Sequence, residues 1–368
     1  MIKRAIYLLM LLAGAATAQP YPPSTAIVGV SYCWGSGACG QLLNLAQGSD
    51  NWPITWADNG HQYTSWGDGG GFGSSGSGGS DRVSLGFGRV QGGATSYVGI
   101  NVWGGKSHEN PATFGGKAYG LLSVGTVMYS MVTPGSNQQG YDTTTVAFSN
   151  DHSATWVKSP WRWVKSQGVA FPTLLNFGQG YAGARDNYIY AYFIDPQDTG
   201  SLGIQTPGHI WLARVLKTEV LTEASWQWYT GTAGGMAGTP TWGVNTAKTP
   251  VFQDLTNGVG WCLSVSYNAG LQRYLLSTEN TQSFAGRFGL FDAPNPWGPW
   301  TTVEYFHTTG WHTGHDATDA FYRGYANKWA SPDGVNFMLV YSGNDEWNAV
   351  SGTFTPGNVG GGGSCNCP

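Results

Sequence analysis

Apolar and polar positions along this chain alternate in short bursts. After the first eighteen residues no long segment repeats its apolar side chains every three or four positions, so long amphipathic helices are not expected. Runs of about four to eight residues rich in Val, Tyr, Phe, Trp and Thr recur instead, bounded by Gly, Asn, Asp and Pro, which is the pattern of strands and turns. The pattern predicts five hairpins. They pair residues 52–57 with 62–66, 118–123 with 127–132, 174–177 with 187–193, 261–267 with 273–278, and 327–330 with 336–341. Asn59-Gly60, in the first turn, is a strong hairpin signal because both positions tolerate positive φ.

The hairpins begin at unequal but comparable intervals, and each gap carries further tryptophan-marked strands. Trp156, Trp161 and Trp163, Trp226 and Trp228, and Trp297 and Trp300 mark them. Two hairpins per repeat make a four-stranded unit, and five units fill the chain. The expected fold is all-β, a five-bladed β-propeller in a single domain, with a β-sandwich plus an appended module as the alternative. Ser149-Asn150-Asp151-His152-Ser153-Ala154-Thr155-Trp156 resembles the Asp-box of sialidase-like propellers, with Ser153 at its glycine position. The resemblance gives Asp151 a turn-forming role and sets Trp156 between blades.

The ends of the chain read differently. Residues 1–18 form a signal peptide: Lys3 and Arg4 precede an apolar stretch, and Ala16-Thr17-Ala18 offers a cleavage site. The product is expected to be secreted or periplasmic and not held in a membrane after cleavage. Residues 19–45 form an N-terminal segment in which Cys33 and Cys39 can close a small loop, residues 46–356 form the propeller, and residues 357–368 form a Gly-rich tail with Cys365 and Cys367. Cys262, in a strand-like run, is expected to be a buried apolar filler. Residues 69–80, nearly all Gly and Ser, are expected to be a mobile loop.

Composition narrows the function. Only 10% of residues are charged, against about 25% in ordinary domains, while 14% are aromatic. The 57 glycines are roughly twice the usual share. Without the leader, 15 Lys and Arg stand against 21 Asp and Glu. A mildly acidic surface without basic clusters argues against nucleic acid or anionic lipid as partner. No Cys/His spacing resembles a zinc site. No cofactor is called for, a structural calcium is left open, and a monomer is expected.

The first hairpin carries the candidate chemistry. Asp50 precedes its first strand and Asp68 follows its second, so both should lie at the end opposite the turn, on neighbouring strands about 5 Å apart. Closing blades into a ring gathers such ends around one axial opening. The same logic brings Glu109, Lys117, Glu279, Lys328 and Asp345 toward that opening as substrate-binding groups or reserve acids. Trp52, Phe72, Trp311 and Trp329 are candidate aromatic platforms. Carboxylates beside aromatic faces suit a carbohydrate, and glycosidic cleavage uses one carboxylic acid and one carboxylate. Turn formation is the competing role for every Asp beside Asn or Gly. Arg185-Asp186 reads as a salt-bridged structural pair. His108, His312 and His315-Asp316 read first as loop residues.

Ser49 to Gly60, then Tyr63-Thr64-Ser65-Trp66-Gly67-Asp68-Gly69, resemble the signature of exported bacterial proteins catalogued as a domain of unknown function. Asn176-Phe177-Gly178, Tyr181 to Asp186, Pro296 to Trp300 and Lys328 to Gly334 continue the resemblance over most of the chain. Some members of that family are endo-acting D-arabinanases, glycoside hydrolases with a five-bladed propeller. The resemblance implies that Asp50 and Asp68 are the catalytic pair, Asp50 as base or nucleophile and Asp68 as acid or its partner. The expected function is therefore a secreted glycoside hydrolase acting on a glycan, arabinan-like by resemblance. A polysaccharide lyase using His108, His312 or Lys117, and a non-catalytic carbohydrate-binding propeller, are the alternatives.

Overall fold

The computed structural model of the protein describes residues 19–34, 45–76, 78–133, 141, 143–196, 202–234, 238–311 and 320–357. The signal peptide, Cys39, the cysteine-bearing tail, His312, His315 and Asp316 lie outside the described residues. Cys33 is disulfide-bonded, and Cys262 is free and buried.

The chain begins with strand β1 (Ile27–Tyr32) and then builds five sheets in order. Blade I holds β2 (Ile54–Trp56), β3 (Gln62–Trp66), β4 (Gly86–Gln91) and β5 (Val98–Trp103). Blade II holds β6 (Lys117–Val124), β7 (Val127–Thr133) and β8 (Thr143–Ser149), with short β9 (Val157–Lys158) and β10 (Trp163–Val164) both pairing with β8. Blade III holds β11 (Ala170–Leu174), β12 (Tyr188–Ile194), β13 (Gly208–Leu216), β14 (Gln227–Ala233) and β15 (Thr239–Gly243), and β16 (Pro250–Asp254) joins β13. Blade IV holds β17 (Ser264–Asn268), β18 (Arg273–Glu279), β19 (Phe288–Ala293) and β20 (Thr301–Tyr305). Blade V holds β21 (Tyr322–Tyr325), β22 (Asn336–Gly343) and β23 (Glu346–Pro356).

These sheets make a five-bladed β-propeller, as the spacing of hairpins predicts, and exclude the sandwich. Strand β1 pairs antiparallel with β23, Ile27 opposite Pro356 and Tyr32 opposite Gly352. Both ends of the described chain thus share blade V, which closes the ring. The N-terminal segment set apart from the propeller on sequence grounds supplies its closing strand. Strands β2, β6, β11, β17 and β21 are the innermost of their blades. Neighbours among them contact one another around the axis, and the 3-10 turn Asn327–Trp329 after β21 touches β2.

Middle strands are covered on both faces by adjacent blades, so they read as continuous apolar runs. Strand β12, YIYAYFI, is buried from its second residue to its last, and every residue of β19 is buried. Two hairpins differ from expectation. The inner strand of blade III ends at Leu174, and residues 175–177 cross toward blade IV instead, where Asn176 N–H donates to Val265 O and Tyr267 N–H donates to Asn176 O. In blade V the inner strand is β21, and residues 327–329 form the 3-10 turn, not a strand.

The Asp-box-like segment forms a knot of polar bonds. Asp151 accepts from Ser149 Oγ at 2.8 Å, from Thr155 N–H at 2.9 Å and from Thr155 Oγ at 2.6 Å. Ser153 takes the glycine position at φ 72°. Trp156 stacks on Phe87 of blade I with ring centroids 4.1 Å apart, so it does pack between blades. Trp156→Ala should cost about 3–5 kcal/mol and Asp151→Ala about 1 kcal/mol, read from urea unfolding midpoints. Equal costs would contradict the packing role assigned to the ring.

Candidate active site

The site is assembled at the N-terminal ends of the inner strands. Asp50, just before β2, and Gly67, just after β3, exchange two backbone hydrogen bonds: Asp50 N–H to Gly67 O at 3.1 Å and Gly67 N–H to Asp50 O at 2.9 Å. The pairing of β2 and β3 thus extends to the mouth of the ring. Asp68 follows with φ 53°, a left-handed conformation that Asp tolerates better than most residues. A side chain at Gly67 would put its Cβ 2.8 Å from Asp50 Oδ1 and 3.0 Å from Lys117 Nζ. Glycine leaves room there for an acid and an amine to approach.

Lys117 is the first residue of β6, and its side chain is 7% exposed. Its Nζ lies 2.5 Å from Asp68 Oδ1. Arg82 approaches the same oxygen at 2.8 Å. Arg82 arrives because Gly69 and Val83 exchange backbone bonds of 3.1 and 3.0 Å, which closes the Gly/Ser segment at its base. Residues 69–72 of that segment are pinned, while residues 78–80 stand exposed. Ser49 Oγ accepts from Gly71 N–H, Asn101 Oδ1 accepts from Phe72 N–H, and the Asn101 amide donates to the carbonyls of Gly70 and Phe72. A Cβ at Gly69 would fall 2.2 Å from Ser49 Oγ, so the close approach needs glycine.

Asp50, Asn51, Asp68 and Lys117 form one wall of a cavity of about 180 Å³. Tyr119, Tyr141, Leu202, Trp261 and Phe284 form the rest. Burial is the main force on Asp50, raising its pKa to about 7. Lys117 and Arg82 pull it down, while the charges of Asp68 and Asp345 push it up. Asp345 stands exposed in the turn between β22 and β23.

Other candidates fall outside the cavity. Trp52 is fully buried, its ring against Phe72 at 5.6 Å and Trp347 at 5.3 Å, with its N–H donated to Glu346 O. It is core, not a platform, and the same correction holds for Phe72 and Trp311. Glu109 pairs with Arg89 of β4 at 2.6 Å on the outer half of blade I. Lys328 and Trp329 lie at the opposite end of β22 from Asp345, because residues 327–329 belong to the β21–β22 connection. Trp329 is buried against Tyr97, and Lys328 faces His61, whose proton affinity burial, Arg89 and Lys328 all lower. Glu279 is fully buried one layer behind the cavity, accepting from Phe284 N–H at 2.8 Å, and burial holds its pKa well above the carboxylate range. His108 bonds Gly105 O on an exposed loop. Arg185 donates to Pro294 O while Asp186 accepts from Tyr188 N–H and Tyr190 OH, so each has its own partners.

The residues missed by sequence reasoning are the aromatic wall and Arg82. Trp261 carried a usable signal: it precedes β17 as Asp50 precedes β2. Tyr141, Leu202 and Phe284 come from connections between strands, where no periodicity marks them. Among the described residues no group of three His, Cys, Asp or Glu is arranged to hold a metal ion, and no helix is long and apolar enough to cross a membrane.

Fold and site together define a five-bladed propeller with an acidic, aromatic-walled cavity at one axial mouth. Residues 119–351 match the model of a family described as a domain of unknown function, DUF4185, and the chain belongs to that family. A comparison with curated proteins finds no match. Among solved structures, a candidate hydrolase from Bacteroides ovatus ATCC 8483 is similar with a TM-score of 0.53 and 11% identity, over 84% of this chain and 86% of that one. The RS223 β-xylosidase gives 0.49 at 12% identity, over 84% of this chain and 94% of its own. A GH43_1 enzyme from Xanthomonas citri complexed with xylose gives 0.48 at 15%, over 87% and 89%. At these identities the likeness is one of fold.

Lys117→Met removes a cation that lowers the pKa of Asp50. Its carboxyl titration, followed by carbon-detected NMR, should move above 7. A downward movement would contradict the electrostatic arrangement described.

Proposed function

We propose that the protein is a glycoside hydrolase whose cavity binds a sugar ring against its aromatic wall and cleaves the linkage between Asp50 and Asp68. The observation that carries this reading is the pairing of two unlike carboxyl groups in one cavity. Asp50 is half-buried in the cavity wall, and desolvation there holds its proton to about pH 7. Asp68 sets its charge against Lys117 and Arg82. Two acids in contrasting environments are what glycosidic cleavage uses. The Bacteroides ovatus structure of the same fold, named as a candidate hydrolase, accords with the reading.

The environments favour Asp50 as the acid, the reverse of the roles expected from the sequence. Asp50 donates its proton to the glycosidic oxygen as the C–O bond breaks. Asp68 either takes a proton from the attacking water or attacks the anomeric carbon itself. Phe284, half-buried in the cavity wall, offers an apolar face to the C–H face of a sugar, and Tyr119, Tyr141 and Trp261 line the cavity behind it and limit water, which strengthens the electrostatics of the step. Lys117, committed to Asp68, orients and balances that charge. Arabinan-like glycans are the first substrates to try, by the sequence resemblance.

Assay on a glycan panel tests this. Asp50→Asn and Asp68→Asn should each lower kcat/KM by at least about 100-fold. Near-parental turnover in both variants of an active parent would overturn the assignment. Asp68→Asn leaves Lys117 without its nearest counter-charge, so melting curves must accompany it. The pH profile decides the roles. With Asp50 as acid, kcat/KM falls as pH rises through about 7, because the needed proton is lost there. A fall toward low pH with that same midpoint would return Asp50 to the base.

A further inference from the structure

Asn51 stands between the two parts of the molecule that must agree, the ring of blades and the Asp50 carboxyl. It is 3% exposed and adopts φ 58°. Asn enters that left-handed region more readily than other residues with a side chain, so the conformation alone does not require a function. Its bonds are more telling. The Asn51 amide donates to Ala118 O of blade II at 2.7 Å. Its Oδ1 accepts from the Cys262 thiol, just before β17 of blade IV, at 3.6 Å. Its backbone N–H donates to Ser342 Oγ of blade V at 3.3 Å. One residue of blade I is thereby tied to three other blades at the level of the cavity.

We propose that Asn51 is the positioning residue of this site, a clamp through which blades II, IV and V fix the carboxyl of Asp50. This rests on the hydrolase reading for its catalytic consequence, though not for the geometry. Both side-chain ends of Asn51 are bonded within the protein, which ties its position to blades II and IV. The clamp is consistent with a protonated thiol: burial, with Glu279 and Asp50 adding to it, holds the Cys262 pKa well above its ordinary value, leaving the S–H to donate. The groups facing Asp50 come from several elements. The charged ones are Asp68 after β3, Lys117 on β6, Arg82 at the base of the Gly/Ser segment and Asp345 in the β22–β23 turn, and the neutral titratable ones are Tyr119, Tyr141 and Cys262. Loosening Asn51 would alter the distance of Asp50 from the four charged groups and admit more water beside it.

Two sets of variants test the clamp. Asn51→Gly keeps the left-handed backbone and removes the amide. Cys262→Ala with Ser342→Ala keeps Asn51 and removes two of its three ties. In each, the Asp50 titration is followed by carbon-detected NMR and glycan kinetics are measured beside it. In Asn51→Gly the midpoint is expected to fall from about 7 by about one unit as water enters. Turnover is expected to drop about tenfold or more, with KM within about twofold. The double variant should move both in the same direction, and it stands alone as the test if Asn51→Gly does not fold. An unchanged Asp50 midpoint in a folded variant overturns the clamp, as does a raised KM with unchanged kcat, which would make Asn51 a substrate contact. A parent without glycan cleavage would refute the hydrolase reading alone, since the titration still decides the positioning role.

Discussion

Two backbone hydrogen bonds between Asp50 and Gly67 hold the mouth of the first blade together, and the cavity is arranged around them. They extend the antiparallel pairing of β2 and β3 beyond the regular strands. They fix Asp50 and Asp68 at one end of one hairpin. Because the paired residue is glycine, the space its side chain would fill is taken by the Asp50 carboxyl and the Lys117 amine. A ring of five blades then supplies the rest: the amine from blade II, a tryptophan from blade IV and a turn carboxylate from blade V. Closure by β1 on β23 joins the two ends of the described chain in blade V.

The site balances burial against charge. Desolvation disfavours the ionised form of Asp50, while Lys117 and Arg82 favour it and two further carboxylates oppose it. Burial prevails, and the carboxyl keeps its proton far above the range of an exposed aspartate. Asp68 shares its oxygen with two cations. Arg82 is exposed and its pair with Asp68 brings little net stability, whereas leaving the buried Lys117 amine without its partner is expensive.

Much of this was legible in the sequence, and the failures have a common cause. Turn chemistry and strand spacing identified the propeller, and the position of Asp50 and Asp68 at the open end of a hairpin followed from strand pairing alone. Lys117 was found by the same logic. Lys328 was misplaced because residues 327–329 look like a strand start but form a turn after it, which reverses the end of the blade they occupy. Trp52 and Trp329 were misread because exposure cannot be judged from residue type in a chain this rich in aromatics. The anchoring of residues 70–72 left no mark in the Gly/Ser pattern because the anchors, Ser49 and Asn101, lie outside it. Tyr141, Leu202 and Phe284 reach the cavity through tertiary placement of connections, for which one-dimensional pattern offers no signal.

The most direct measurement is a crystal structure of the Asp50→Asn, Asp68→Asn double variant with an oligosaccharide that the parent cleaves. One sugar ring is expected against Phe284 in the cavity lined by Trp261, with the glycosidic oxygen within hydrogen-bonding distance of residue 50 and the anomeric carbon facing residue 68. A glycan seated elsewhere on the propeller, such as the outer edge of blade II beside Trp161, with the axial cavity empty, would contradict it.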